Sequence, residues 1–205
     1  DTCAKHRAWL HVDGAHGASA LLSPELRGRL AGVERADSLV WDAHKLLGTS
    51  ALCAAVLVRD VGHLLSAFRQ QASYLVAEPT AQAPDLLGRT IECTKASLGL
   101  KLFLNLAVLG EDGLRRHVEL LHERAREFHA LVHARPALQT LAPPESNIVL
   151  FRHAASDDAR QARIRAELLR RGDFYITQVD LDGRRWLRLV VMNPLTDAAA
   201  VRDTF

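Results

Sequence analysis

Two short runs hold most of the ionisable chemistry in this sequence. The first, HVDGAHG, carries His11, Asp13 and His16, and the second, DSLVWDAHKLLGT, carries Asp42, His44 and Lys45 after an apolar stretch. Residues i and i+2 of a strand face the same side, so His11 and Asp13 point together, with His16 just beyond. Imidazole and carboxylate are competent zinc ligands. A metallohydrolase built on these three residues is therefore one reading, although no Cys or Glu cluster completes the set. The plainer reading is a strand-end carboxylate with structural histidines. Lys45 becomes a nucleophile only where burial or a neighbouring cation discourages its charge. His44 could supply that cation or hold an anion. A lysine beside a strand is otherwise a solvated side chain.

The elements around these runs decide how they meet. AWLHVD and DSLVWD read as strands, and LCAAVLVRD as a third. Between the first two, SPELRGRLAG carries helix signals: Ser23 as N-cap, Pro24 at the first helical position and Gly32 past the end. Strand, helix and strand in this order form a βαβ unit with parallel strands and a right-handed crossover. Ligands of such sheets gather beyond the carboxyl ends of the strands. Asp13 ends the first strand and Asp42 to Lys45 follow the second, so both clusters fall on one edge. A carboxylate beneath a pyridine nitrogen keeps it protonated and makes the ring an electron sink. A lysine at the other side of the ring holds it as a Schiff base. The pair Asp13 and Lys45 asks for pyridoxal phosphate.

Further along, VAEPTAQAPDLLGR reads as a loop. A helix from Thr94 carries Leu98, Leu102, Leu106 and Leu109 at helical spacing and closes at Gly110. A second helix over 112–133 places Leu114, Val118, Leu121, Ala125, Phe128 and Val132 on one stripe. LQTL and NIVLFRH are short strands, and DARQARIRAELLRRG is a helix ending at Gly172. FYITQVD and RWLRLVVMN are strands joined by the turn LDGR. The second half is thus an α+β unit.

The 205 residues are 48% hydrophobic and 24% charged, enough apolar matter for a core and too much for disorder. With 26 basic against 24 acidic residues the net charge is +2, which gives no electrostatic case for nucleic acid or an anionic membrane. Cys3, Cys53 and Cys93 form neither a disulfide framework nor a metal motif. No apolar run reaches the length of about 18 residues that a membrane span needs, and no basic-then-apolar leader opens the chain. The expectation is a cytoplasmic protein. The opening DTCAKHRAWLHVD enters a strand from the last turns of a helix, so the chain is expected to be a fragment of a longer protein.

The stretch from WLHVDGA to the third strand resembles the group II pyridoxal-phosphate-dependent amino acid decarboxylases, which act on glutamate, aromatic amino acids, cysteine sulfinate and diaminobutyrate. Their His-Val-Asp-x-Ala and Ser-x-x-x-(Asn/Asp)-x-His-Lys runs stand here as HVDGA and SLVWDAHK. The likeness continues through SYLV, ECTKASLGLKLFLNLAVLGEDGL and WLRLVVMNPLTD. It implies an α/β fold of the aspartate aminotransferase-like fold type I. Residues 1–93 would be the C-terminal part of the cofactor-binding large domain, 94–110 a bridging helix and 111–205 a small α+β domain. It also implies a homodimer with the active site at the subunit interface. By position, Lys45 resembles the Schiff-base lysine, Asp13 the partner of the pyridine nitrogen and Ala15 the small residue under the ring. His44 resembles the histidine at the cofactor phosphate, and Arg188 the arginine that binds the substrate carboxylate.

Three features depart from that pattern. The family's upstream segment, with its phosphate contacts and ring-stacking residue, is not in this sequence. The loop over 81–89 lacks the family's tyrosine, and Lys95 stands where an arginine is usual. The resemblance implies decarboxylation of an amino acid to its amine and CO₂. The missing tyrosine keeps oxidative deamination or transamination as the alternative, and the missing upstream half keeps a non-catalytic fragment.

Overall fold

The computed structural model describes residues 2–68, 86–92, 94–172 and 175–202. The SYLV run, Cys93 and most of the 81–89 loop lie outside the described residues. The chain forms two compact units, Asp1–Leu114 and Arg115–Phe205.

The first unit opens with α1 (Thr2–His6), which leads into β1 (His11–Asp13); β2 (Ser38–Asp42) and β3 (Ala54–Val58) complete its sheet. The order is β1-β2-β3. β1 and β2 run parallel, with His11 opposite Ser38 and Asp13 opposite Val40. β3 returns antiparallel, with Asp42 opposite Ala54. The crossover between β1 and β2 corrects one expectation. SPELRGRLAG does not form an α-helix; the connection is made of 3-10 turns at Ala18–Leu22, Arg27–Leu30 and Val33–Arg35. The Ser23 carbonyl accepts from both Leu26 N and Arg27 N, which closes one turn. Ala31 then turns extended and Gly32 takes φ +95°, so helical geometry cannot propagate. Ala18, Ala20, Leu26, Leu46, Leu47 and Cys53 bury into a small core.

After β3, Asp60 Oδ1 accepts from Gly62 N at 2.8 Å and starts α2 (Gly62–Phe68). The long helical run α3 (Leu98–His133) is broken at Gly110, whose φ of 65° and ψ of 173° are not helical. The expected division at this glycine is present, and the first helix begins at Leu98 rather than Thr94. The leucines before Gly110 are left partly open, Leu106 and Leu109 at 42% and 48% exposure. The stripe after it, Leu114 to Val132, is buried at every position read from the sequence.

The second unit sets four antiparallel strands beside this helix in sequence. They are β4 (Leu138–Thr140), β5 (Ile148–His153), β6 (Thr177–Leu181) and β7 (Arg184–Val190), in the order β4-β5-β7-β6. Between β5 and β6 lies α4 (Asp158–Arg171), capped by Asp157 and ended by Gly172 at φ 78°. α5 (Ala198–Arg202) follows β7. Phe128, Phe151, Val149 and Leu187 are buried in this unit's core. No helix among the described residues is long and apolar enough to cross a membrane.

Candidate active site at the carboxyl edge of the first sheet

β1 hands the chain over at Asp13, and a tight turn follows at once. Ala15 N donates to Asp13 Oδ1 at 3.1 Å, a local side-chain turn that fixes the carboxylate and leaves its second oxygen without a protein partner among the described residues. Gly14, between them, is packed so closely that a Cβ there would lie 2.6 Å from Leu39 Cδ1 and 2.8 Å from Ala18 Cβ. The turn is then tied to the neighbouring strand, because Asp42 N donates to Ala15 O at 3.2 Å. This bond joins the Asp13–Ala15 turn to the Asp42–Lys45 turn on one edge.

The second turn alternates core anchors and polar groups. Ala43, Leu46 and Leu47 are buried, which leaves His44 and Lys45 to face outward. Lys45 N donates to Asp42 O at 3.1 Å and closes the turn. Lys45 Nζ then sits 2.8 Å from Asp42 Oδ2, and His44 Nε2 lies 3.9 Å from the same oxygen. The Lys45 side chain is 34% exposed and that of Asp42 is 13% exposed. Lys45 is therefore neither free in water nor sealed in the core: it is reachable and held by a more buried carboxylate. The other ring nitrogen of His44 lies 2.9 Å from Cys53 O and 3.2 Å from Cys53 N. Either tautomer finds a partner there, so the ring is fixed and Nε2 is the nitrogen left for a ligand.

His11 belongs to a different network. Its Nδ1 lies 2.7 Å from Ser38 Oγ, which also accepts from Trp9 Nε1 at 2.7 Å. With the indole hydrogen spent on Oγ, the hydroxyl hydrogen can go to His11. Among the described residues no group of three or more His, Cys, Asp or Glu side chains is placed to hold a metal, so His11, Asp13 and His16 do not assemble into a ligand set.

Arg188 lies in the second unit on β7, opposite Leu150 of β5 and Thr177 of β6. Thr177 Oγ1 donates to its carbonyl at 3.0 Å, and its guanidinium has no ion pair or hydrogen bond among the described residues. The reading from sequence placed Asp42 in the ionisable cluster without giving it a task. Its (i, i+3) spacing to Lys45 across a turn was the available signal. The role of Ser38, shared by Trp9 and His11, had no signal in the sequence.

The site is thus a sheet-edge lysine with its own counter-ion, joined to a second carboxylate turn. The family model for the pyridoxal-dependent decarboxylase conserved domain matches residues 1–154, and the chain belongs to that family. It is 32% identical over 204 residues to the L-2,4-diaminobutyrate decarboxylase of Rhizobium meliloti, covering 95% of this chain and 40% of that protein. It is 29% identical over 201 residues to the 3,4-dihydroxyphenylacetaldehyde synthase of Drosophila melanogaster, covering 97% of this chain and 39% of that protein. The crystal structure of Oryza sativa TDC with PLP and tryptamine superposes with a TM-score of 0.90 at 29% identity, over 99% of this chain and 44% of that one. The chain thus has part of the fold type I architecture, and spans about 40% of the length of the relatives it matches.

Proposed function

We propose that this chain forms one wall of the active site of a pyridoxal-phosphate-dependent enzyme that decarboxylates an L-amino acid to its amine and CO₂. The observation that carries the reading is the placement of the Lys45 amine, 2.8 Å from Asp42, on a turn hydrogen-bonded to the Asp13–Ala15 turn. The groups present fit the cofactor: a reachable amine, a carboxylate oxygen without a protein partner, a small side chain beside it and an imidazole nitrogen facing outward.

When bound, the cofactor supplies the electron sink that makes loss of CO₂ from the α-carbon possible. The residues do the rest. Asp13 would hold the pyridine nitrogen's proton through Oδ2, and Ala15 would leave room for the ring. His44, its Nδ1 engaged by Cys53, would offer Nε2 to the phosphate. Lys45 would hold the cofactor aldehyde through its amine, and Asp42, 2.8 Å from Nζ, fixes where that amine stands. Arg188, by its resemblance to the family arginine, would bind the substrate carboxylate with its two-pronged guanidinium.

In the domain assignment we propose, 1–93 is the C-terminal part of the large domain, 94–110 the bridging helix and 111–205 the small domain. The working enzyme is a cytoplasmic homodimer with its site at the subunit interface. Large apolar side chains stand open on the first unit, with Phe103 at 62% and Val108 at 79% exposure, a surface that further protein would cover. A second reading is conversion of the amino acid to an aldehyde or keto acid. It is favoured by the likeness to the Drosophila aldehyde synthase and by the absence of tyrosine from 81–89.

The test uses the complete product of the gene that encodes this chain. Borohydride reduction in the presence of pyridoxal phosphate is expected to fix the cofactor on Lys45, as read by peptide mapping, and Lys45→Ala to abolish both the label and turnover. Turnover retained by that variant would sink the assignment. Amine with CO₂, against aldehyde or keto acid, separates the two readings.

A further inference from the structure

Between the buried Leu47 and Cys53, the stretch 50–52 has no buried side chain to hold its shape. Ser50, Ala51 and Leu52 are exposed, Leu52 at 71%, and three successive carbonyls there lie near one another. Their dipoles repel unless a cation or donor sits among them. Lys101, one turn into α3, supplies it: Nζ lies 3.4 Å from Ser50 O, 3.1 Å from Ala51 O and 3.4 Å from Leu52 O. An ammonium has three donors, and here they have three acceptors. One turn further on, Asn105 Nδ2 donates to Thr49 Oγ1 at 2.9 Å and reaches Leu47 O at 3.4 Å. All of these groups lie within the first unit.

Both ties run on to the site. Gly48 N donates to Lys45 O at 3.1 Å and Thr49 N to Ala43 O at 3.3 Å, so the Asn105 contacts close the turn that presents Lys45. Leu52 leads directly to Cys53, whose backbone N–H and C=O hold the His44 ring. We infer that Lys101 and Asn105 are positioning residues: from the helix, they set the place of the His44 imidazole and the Lys45 amine. The inference rests on the reading that these two groups hold the cofactor, and it adds the device that holds them.

The test again uses the complete gene product, with Lys101→Met, Lys101→Arg and Asn105→Ala. Methionine keeps the apolar stem and removes the charge; Asn105→Ala removes the second tie alone, should the first variant not fold. Hydrogen exchange followed by mass spectrometry reads the amides of 43–53. A lost hydrogen bond from a charged donor is worth about 1.5–3 kcal/mol, so Lys101→Met is expected to speed their exchange about ten- to hundredfold. Exchange in 115–133 is expected to stay as in the wild type. Labelling of Lys45 by subsaturating pyridoxal phosphate and borohydride is expected to fall about tenfold, and Lys101→Arg to restore most of it. Unchanged exchange in 43–53, a loosening spread equally over the chain, or no rescue by arginine overturns the inference. If the wild type itself takes no label at Lys45 while Lys101→Met still loosens 43–53, the positioning stands and the proposed function falls.

Discussion

Replacing Gly14 with alanine puts a methyl group 2.6 Å from Leu39 Cδ1, 2.8 Å from Ala18 Cβ and 3.0 Å from Val40 O. The three neighbours differ in how they can yield. Leu39 Cδ1 is the end of a side chain and can rotate, whereas Val40 O belongs to the sheet ladder and cannot. Ala18 Cβ is fixed by the turn that its own N–H makes to Gly14 O at 2.8 Å. Overpacking of this kind costs about 1–3 kcal/mol. With a urea slope of about 1–3 kcal/mol/M, the unfolding midpoint of G14A should fall by roughly 1 M. A18G alone removes a buried methyl, about 0.8 kcal/mol, and adds the flexibility of glycine, about 0.5–1 kcal/mol. Simple addition of the two gives roughly 2–5 kcal/mol. The double variant should be less unstable than that by about 1 kcal/mol or more, because the methyl added at position 14 takes the space vacated at 18. Urea melts of the wild type, both single variants and the double variant, followed by circular dichroism, measure the coupling. Additivity within about 0.3–0.5 kcal/mol would refute the packing argument for the turn that carries Asp13.

Phe128→Ala should cost about 3–5 kcal/mol in the same melts, since the ring is fully buried among the second unit's apolar side chains. Asp157→Ala removes the cap that accepts from Arg160 N at 2.7 Å and should cost about 1 kcal/mol, with fraying read by exchange in the first turn of α4. Burial lowers the proton affinity of His117, and burial followed by the nearby His133 lowers that of His129. Both rings therefore favour the neutral form when folded. Stability from this source is complete above the unfolded value of about 6.5 and is lost as pH falls through the lower folded values. The urea midpoint should drop with acidification below about pH 6.5, and H117Q/H129Q should flatten that drop.

What could be read from the sequence follows from the range of the signal. The stripe from Leu114 to Val132 repeats along one helix, so its burial was legible residue by residue. The meeting of Asp13 with the Lys45 turn was also legible, because parallel strands bring their carboxyl ends to one edge. The crossover was not: Ser23 and Pro24 signal a helix start, and the capacity of Gly28 and Gly32 to end it within a turn depends on what the chain packs on. The exposure of Leu106 and Leu109 was not legible either, since helical spacing reports a face and not what covers it. Least legible was the tie from Lys101 to Ser50, Ala51 and Leu52. Nothing local announces that a helix lysine will find carbonyls so far back in the chain.

The pairing of Asp42 with Ala54 has a consequence for how such a site can change over time. Segment 43–53 leaves and re-enters the sheet at one rung, so its two feet stand side by side on a ladder that it does not build. A short insertion at its exposed residues changes mainly the cost of closing a loop, which grows only slowly with length. It does not shift the register of β1, β2 or β3. The lysine and the histidine thus ride on a connection anchored in the core by Ala43, Leu46, Leu47 and Cys53, and its exposed part can change length while the opposing carboxylate on β1 stays where it was.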